Sequence, residues 1–116
     1  MNYTEREERP WGRYFTLQVD PNYKLKRIEV EPGQRLSYQY HNKRSEIWII
    51  IEGSALVTID DNSKKYNAGE SVVIPLKVKH RVENKSNSLL VFIEVQTGSY
   101  FGEDDIIRLN DDYGRK

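Results

Sequence analysis

The chain has 116 residues and a mass of 13.7 kDa, room for one domain and no second catalytic one. Its 18 Lys and Arg balance its 18 Asp and Glu, and a zero net charge argues against electrostatically driven nucleic-acid binding. No cysteine is present, which excludes disulfide scaffolds, thiolate zinc sites, Fe–S clusters and cysteine nucleophiles. The longest apolar run, Ile47–Ile51, is far short of the ~20 residues that a membrane span needs. The polar N-terminus lacks the apolar stretch of a secretory signal, so a cytoplasmic location is expected.

No linker or composition break divides the chain, and one domain over residues 1–116 is expected. Turn signals recur at Asp20-Pro21-Asn22, Pro32-Gly33, Gly53, Asp60–Ser63, Ala68-Gly69 and Asn84–Asn87. The stretches between them are rich in Val, Ile, Tyr, Phe and Thr. That pattern predicts an all-β sandwich or barrel. The aromatic stretch Trp11–Val19 is expected as a strand that can exchange across a dimer and cover the partner's sheet edge. In 24–31, Ile28 and Val30 share one face while Arg27, Glu29 and Glu31 share the other. Residues 47–51 are apolar throughout, as in a central strand buried on both faces. Ala55, Val57 and Ile59 alternate with Leu56 and Thr58. The apolar stretch 89–95 carries Glu94 and, just beyond it, Gln96 on one face. Residues 103–109 are the best candidate for a short helix, acidic in the first turn with Arg108 in the last. The tail 110–116 is expected at the surface.

The only two histidines are His41 and His80. A lone strand histidine is more often structural than a ligand, but the context here is specific. The first segment reads Gly33-x5-Gln39-x-His41-x4-Glu46-x6-Gly53. Gln39 and His41 are two apart and share a face, and an antiparallel return brings Glu46 beside His41. The second segment reads Gly69-x5-Pro75-x3-Lys79-His80-x3-Asn84. Two imidazoles, a carboxylate and an amide oxygen then converge inside a small barrel. That donor set suits a divalent Zn, Mn, Co, Ni or Fe ion, with positions open to water or substrate.

Both segments, at 33–53 and 69–84, resemble the two motifs of the cupin superfamily. Gln39 stands in place of a histidine and Lys77 in place of a glycine. The resemblance implies a jelly-roll barrel, the metal ligands Gln39, His41, Glu46 and His80, and commonly a homodimer. The flanks are more specific. Arg9-Pro10-Trp11-Gly12, Gln39–Trp48, Ile74-Pro75, His80-Arg81, Ile93–Arg108 and Asp111–Arg115 resemble the type II mannose-6-phosphate isomerase domain over residues 9–115. In many bacteria that domain is the C-terminal part of a bifunctional protein with mannose-1-phosphate guanylyltransferase. The guanylyltransferase part is not in this sequence, so that activity is not expected. The family commonly carries extra histidines where Asn42, Lys43 and Ile47 stand here.

The resemblance implies interconversion of mannose 6-phosphate and fructose 6-phosphate. A base removes the C2 proton of the open-chain aldose, an enediol forms, and the proton returns at C1. Glu94 is the candidate base, because burial would raise its pKa toward a useful range. Lys26 and Arg108 are the first candidates for holding the phosphate, with Arg44 beside the ligands as a third. Arg81 should point away from the His80 face. Two other readings compete. One is a non-enzymatic metal- or sugar-binding cupin. The other is an Fe(II)-dependent oxygenase, since His41, Glu46 and His80 fit a 2-His-1-carboxylate iron site.

Overall fold

The structure is a computed structural model that describes residues 1–115. Eleven strands form two antiparallel sheets. They are β1 (Glu5–Arg9), β2 (Gly12–Val19), β3 (Tyr23–Val30), β4 (Tyr38–Tyr40), β5 (Arg44–Glu52), β6 (Ser54–Ile59), β7 (Asn62–Asn67), β8 (Ser71–Ile74), β9 (His80–Glu83), β10 (Leu90–Gly98) and β11 (Ile107–Asn110). One sheet runs β1-β2-β3-β10-β5-β8 and the other β11-β4-β9-β6-β7. The all-β jelly-roll expectation holds. Among the described residues no helix is long and apolar enough to cross a membrane.

Local chemistry sets the turns. The β6–β7 hairpin closes through Asp60 and Asp61, with φ of 49° and 70°. Both values are positive, as a two-residue type I′ turn requires, and Asp tolerates them. Asn84 is buried and ties three segments together. Its amide donates to the carbonyls of Val30 (2.9 Å) and Ser88 (2.8 Å), and its oxygen accepts from Ser86.

The inner face of the six-stranded sheet changes character along its strands. At one end Val30 faces Leu90, and Ile28, Phe92 and Ile50 form the next row. These are fully buried and pack with Trp48, Val57 and Val82 as the hydrophobic core. Further along, Lys26, Glu94 and Trp48 lie abreast, followed by Lys24, Gln96 and Glu46. The barrel is therefore hydrocarbon at one end and polar at the other, and the second half holds the site.

Three expectations change. The run 47–51 is not buried on both faces. In β5 Trp48 and Ile50 point inward, while Ile47, Ile49 and Ile51 are 39%, 38% and 50% exposed. The β5 strand lies inside its sheet, between β10 and β8, but no layer of the described residues covers the sheet's outer face. Residues 103–109 do not form a helix. Only a 3-10 turn forms at Glu103–Asp105, and β11 follows. A seven-residue helix is marginal by itself, and Ile107–Asn110 instead pairs with the free edge of β4. The tail is partly structural: Tyr113 packs against the core, and its hydroxyl donates to Gln34 at 2.6 Å. Lys116 lies outside the described residues. Trp11–Val19 is built into its own sheet, with β2 between β1 and β3.

Candidate metal centre and adjoining cleft

Strand register assembles the site. Gln39 on β4 pairs directly with His80 at the start of β9. His41 follows β4, and Glu46 sits on the inward face of β5. The turn before His80 is pinned by the Lys77 amide, which donates to the His41 carbonyl at 2.7 Å. Lys77 adopts φ +64°, the left-handed conformation for which glycine is the usual choice. The backbone shape is kept there at the cost of some strain.

One ligand atom each from His41, Glu46 and His80 lies within 4.8 Å of the others, and all three residues are buried. Each imidazole is oriented by its outer nitrogen. The Nδ1 of His41 lies 3.1 Å from the carbonyl of Asp105, and the Nδ1 of His80 lies 3.0 Å from that of Val78. A ring that donates from Nδ1 presents the lone pair of Nε2 inward. The Nε2 of His80 is buried and has no hydrogen-bond partner among the described residues. The Nε2 of His41 faces Glu46 Oε2 at 3.2 Å. In the ion-free site a proton between these two atoms makes a hydrogen bond, and Arg44 lies beside both, 2.9 Å from Oε2 and 3.5 Å from Nε2. This donor set, with its orphaned lone pair, fits a divalent cation. Gln39 lines the adjoining cleft, and its Oε1 accepts the Ser37 hydroxyl at 2.6 Å.

Glu46 gathers further donors. Arg44 Nε donates to Oε2 at 2.9 Å, and the Trp48 indole donates to Oε1 at 2.9 Å. Burial pushes its carboxyl up, but the His41 hydrogen bond and the charges of Arg44 and His80 outweigh that and hold it well below the usual range. Burial lowers the His80 pKa, which keeps the ring neutral and able to ligate.

Glu94 lies one row away. The same Trp48 indole donates to its Oε1 at 3.1 Å, and the Gln96 amide donates to Oε2 at 2.7 Å. Burial, then the nearby Glu46 charge, pushes its carboxyl up to about 8. The two glutamates on one indole are thus split, one ionised and one protonated at neutral pH.

Beside the cluster opens a small cleft of about 80 Å³ that is open to solvent at its mouth. Lys26, Arg44, Arg108, Gln39 and Glu94 all line it. Arg108 reaches it from β11, directly opposite Gln39 in register. Arg81 turns away and donates to the carbonyl of Leu36 and to Asn110. His41, Glu46 and His80 thus form the cluster, while Gln39, Glu94, Lys26, Arg44 and Arg108 line the cleft. The positions of the family's extra histidines do not. Asn42, Lys43 and Ile47 are all exposed, and Ile47 lies on the outer face of the sheet.

Sequence reasoning missed three residues. Trp48 bridges both glutamates. Its signal was present, because residues two apart on a strand share a face. Asp105 accepts the amides of Asn42 and Lys43 at 3.2 and 2.9 Å while its carbonyl orients His41. Glu103 takes Lys26 Nζ at 2.6 Å and Arg44 at 3.4 Å. The Asp105–His41 and Glu103–Lys26 contacts span 64 and 77 residues of sequence, and no local pattern announces them.

Two antiparallel sheets closed around an inward His–Glu–His cluster define a cupin. Solved structures agree on the fold. A Streptomyces PAC13 variant with uridine superposes with a TM-score of 0.80 at 17% identity, covering 95% of this chain and 91% of that one. A mutant of Bacillus subtilis oxalate decarboxylase OxdC gives 0.78 at 23% identity, over 91% of this chain and 30% of that one. Residues 2–111 match the family described as mannose-6-phosphate isomerase C-terminal, and the chain belongs to that family. A mannose-1-phosphate guanylyltransferase of Salmonella montevideo is 48% identical over 97% of this chain and 24% of its own length. The alginate biosynthesis protein AlgA of Pseudomonas aeruginosa is 47% identical over 92% of this chain and 22% of its own length. The chain thus spans less than a quarter of the length of these curated relatives.

The raised Glu94 pKa has a consequence for stability. An acid whose folded pKa lies above its unfolded value of ~4.3 binds more protons when folded, so its contribution falls as pH rises through that interval. Glu94→Gln removes this loss. In metal-free protein, urea unfolding should show the variant gaining on the wild type between about pH 5 and pH 8. A difference that stays flat with pH would mean that Glu94 is ionised throughout.

Proposed function

We propose that this chain is a metal-dependent sugar-phosphate isomerase that interconverts mannose 6-phosphate and fructose 6-phosphate through an enediol. The observation that carries this reading is the buried Glu94 carboxyl, one strand row from the His–Glu–His cluster, in a cleft lined by Lys26, Arg44 and Arg108. The family match supports it. So does the placement of Asn42, Lys43 and Ile47 outside the cleft, because the family's missing histidines then take no ligand contact away.

Gln39, His41, Glu46 and His80 would hold the ion. When bound, a divalent ion polarises a carbonyl and orients the adjacent hydroxyl. The protein's own groups do the rest. Glu94, once ionised, accepts the C2 proton and returns it at C1, with the Trp48 indole steadying its negative charge. Gln96 fixes the carboxyl's plane from the other side. Lys26, Arg44 and Arg108 hold the phosphate at the cleft mouth, which sets the open-chain sugar toward Glu94. Such a phosphorylated substrate accords with the expected cytoplasmic location.

A homodimer is also proposed, through the outer face of the six-stranded sheet. Ile47, Ile49, Ile51 and Val73 are exposed there, and Ile47 stands beside Val73 and Val95 in register. Exposed contiguous apolar surface on this scale marks an interface. Strands of eight and nine residues in β3, β10 and β5 present roughly 14 by 28 Å of sheet, and the four-residue β8 extends it at one edge. An apolar patch flanked on β3 by the Arg27–Glu29 ion pair can meet itself in a second copy. Sedimentation should show a dimer that Ile49→Asp splits into folded monomers. A monomeric wild type removes this part of the proposal.

The isomerase reading is tested on chelated protein, with Zn, Mn, Co, Ni or Fe(II) restored separately. Mannose 6-phosphate should convert to fructose 6-phosphate with at least one ion, and Glu94→Gln should lower kcat by roughly 100-fold or more. Phosphosugar binding without turnover for every ion would instead favour the non-enzymatic binding module.

A further inference from the structure

Two of the cations in the cleft are unusual for an enzyme surface. The side chains of Lys26 and Arg44 are only 4% and 3% exposed. Buried charge must be paired. Arg44 is paired on its inner side by Glu46, and Lys26 lies against the Tyr14 ring at 4.0 Å. On the cleft side both cations share one partner, Glu103. Its carboxylate spreads one oxygen to each, Oε1 to Lys26 Nζ at 2.6 Å and Oε2 to Arg44 Nη1 at 3.4 Å. Glu103 is the outer member of the trio, 38% exposed. It sits on the 3-10 turn between β10 and β11, and this turn has no side-chain cap.

An oxyanion bridging an ammonium and a guanidinium is what a bound phosphoryl group would be. We propose that Glu103 is an internal occupant of the anion subsite formed by Lys26 and Arg44, and that a phosphoryl ligand binds by displacing its carboxylate. The proposal rests on the reading that this cleft takes a phosphorylated compound, and it adds the subsite's built-in competitor. The geometry supports exchange over permanent pairing. Glu103 hangs from a short turn at the cleft mouth, so its side chain can rotate to solvent and be hydrated there. Lys26 and Arg44 are fixed on strands and cannot follow it. Leaving the two cations bare would be costly, so the carboxylate keeps the subsite paired until a ligand supplies equivalent oxygens. A neutral sugar has no such oxygens and does not compete. The exchange makes the cleft selective for anionic ligands and weakens its hold on them.

The test is calorimetric titration with inorganic phosphate, then with mannose 6-phosphate, on the wild type, Glu103→Gln and Asp104→Asn. The two variants remove the same formal charge from adjacent residues. Asp104 is exposed and accepts the Tyr100 hydroxyl instead of reaching the cleft cations. Displacement predicts that Glu103→Gln tightens phosphate binding by about tenfold or more, while Asp104→Asn shifts it by less than about twofold. Lys26→Met should abolish the gain. In the wild type, the ¹³C carboxyl resonance of Glu103 should move on phosphate addition with the same Kd as the isotherm, a readout independent of any variant's folding. Equal tightening by both variants would reduce the effect to general charge. Weaker binding by Glu103→Gln, or a carboxyl resonance that phosphate does not move, would make Glu103 a fixed partner. Each of these overturns the proposal. Because phosphate alone is the probe, the result stands whether or not the chain turns over mannose 6-phosphate. Turnover with no gain in Glu103→Gln would sink this inference and leave the isomerase reading intact.

Discussion

The polar half of the barrel is organised around a single carboxylate. Glu46 is fully buried, and an isolated buried charge costs several kcal/mol. It is tolerated because Arg44, the Trp48 indole and the His41 ring all converge on it within 3.2 Å. The neighbouring structure follows from that pairing. Trp48 spans from Glu46 to Glu94, so the charge on one raises the proton affinity of the other. Arg44 spans from Glu46 to Glu103, which ties the loop between β10 and β11 to the barrel. That loop's Asp105 then orients His41 and closes the circuit. Removing one member would leave another charged and unsatisfied, so the network sets chemistry and fold together.

The division of the barrel into two halves comes from one strand. In β10, Leu90 and Phe92 face inward as hydrocarbon, and Glu94 and Gln96 continue the same face as polar groups. The apolar half provides the packing that holds the strands in register. The polar half is then able to carry buried ionisable groups that would not assemble by themselves. The pKa split between Glu46 and Glu94 is a product of this arrangement, because burial acts on both while the His41 hydrogen bond and the adjacent Arg44 favour the charged form of Glu46.

Much of this was legible in the sequence, and the reasons are local. A spacing of two placed Gln39 and His41 on one face, and the same rule placed Glu94 with Gln96. Lys77 stands where the resemblance places a glycine, and it keeps the left-handed conformation that glycine favours. The unread parts depend on distance along the chain or on what lies outside it. Periodicity cannot tell a strand buried on both faces from one whose outer face awaits a partner, which is why Ile47, Ile49 and Ile51 were misplaced. Helical charge patterning at 103–109 was outweighed by an open strand edge on β4, a feature supplied by another part of the chain. The clasp that Glu103 and Asp105 make with Lys26 and His41 joins residues more than sixty apart and leaves no periodic trace.

Ion binding by the His41–Glu46–His80 cluster is the claim on which the rest depends most directly. Metal content per chain, measured after equilibrium dialysis against Zn or Mn, tests it. The wild type should hold one equivalent near neutral pH and release it below about pH 6, as imidazole protonation competes. His80→Ala should lose affinity by more than about 100-fold. A His80→Ala protein that still holds a full equivalent, or a wild type that holds none of the ions, would contradict the account.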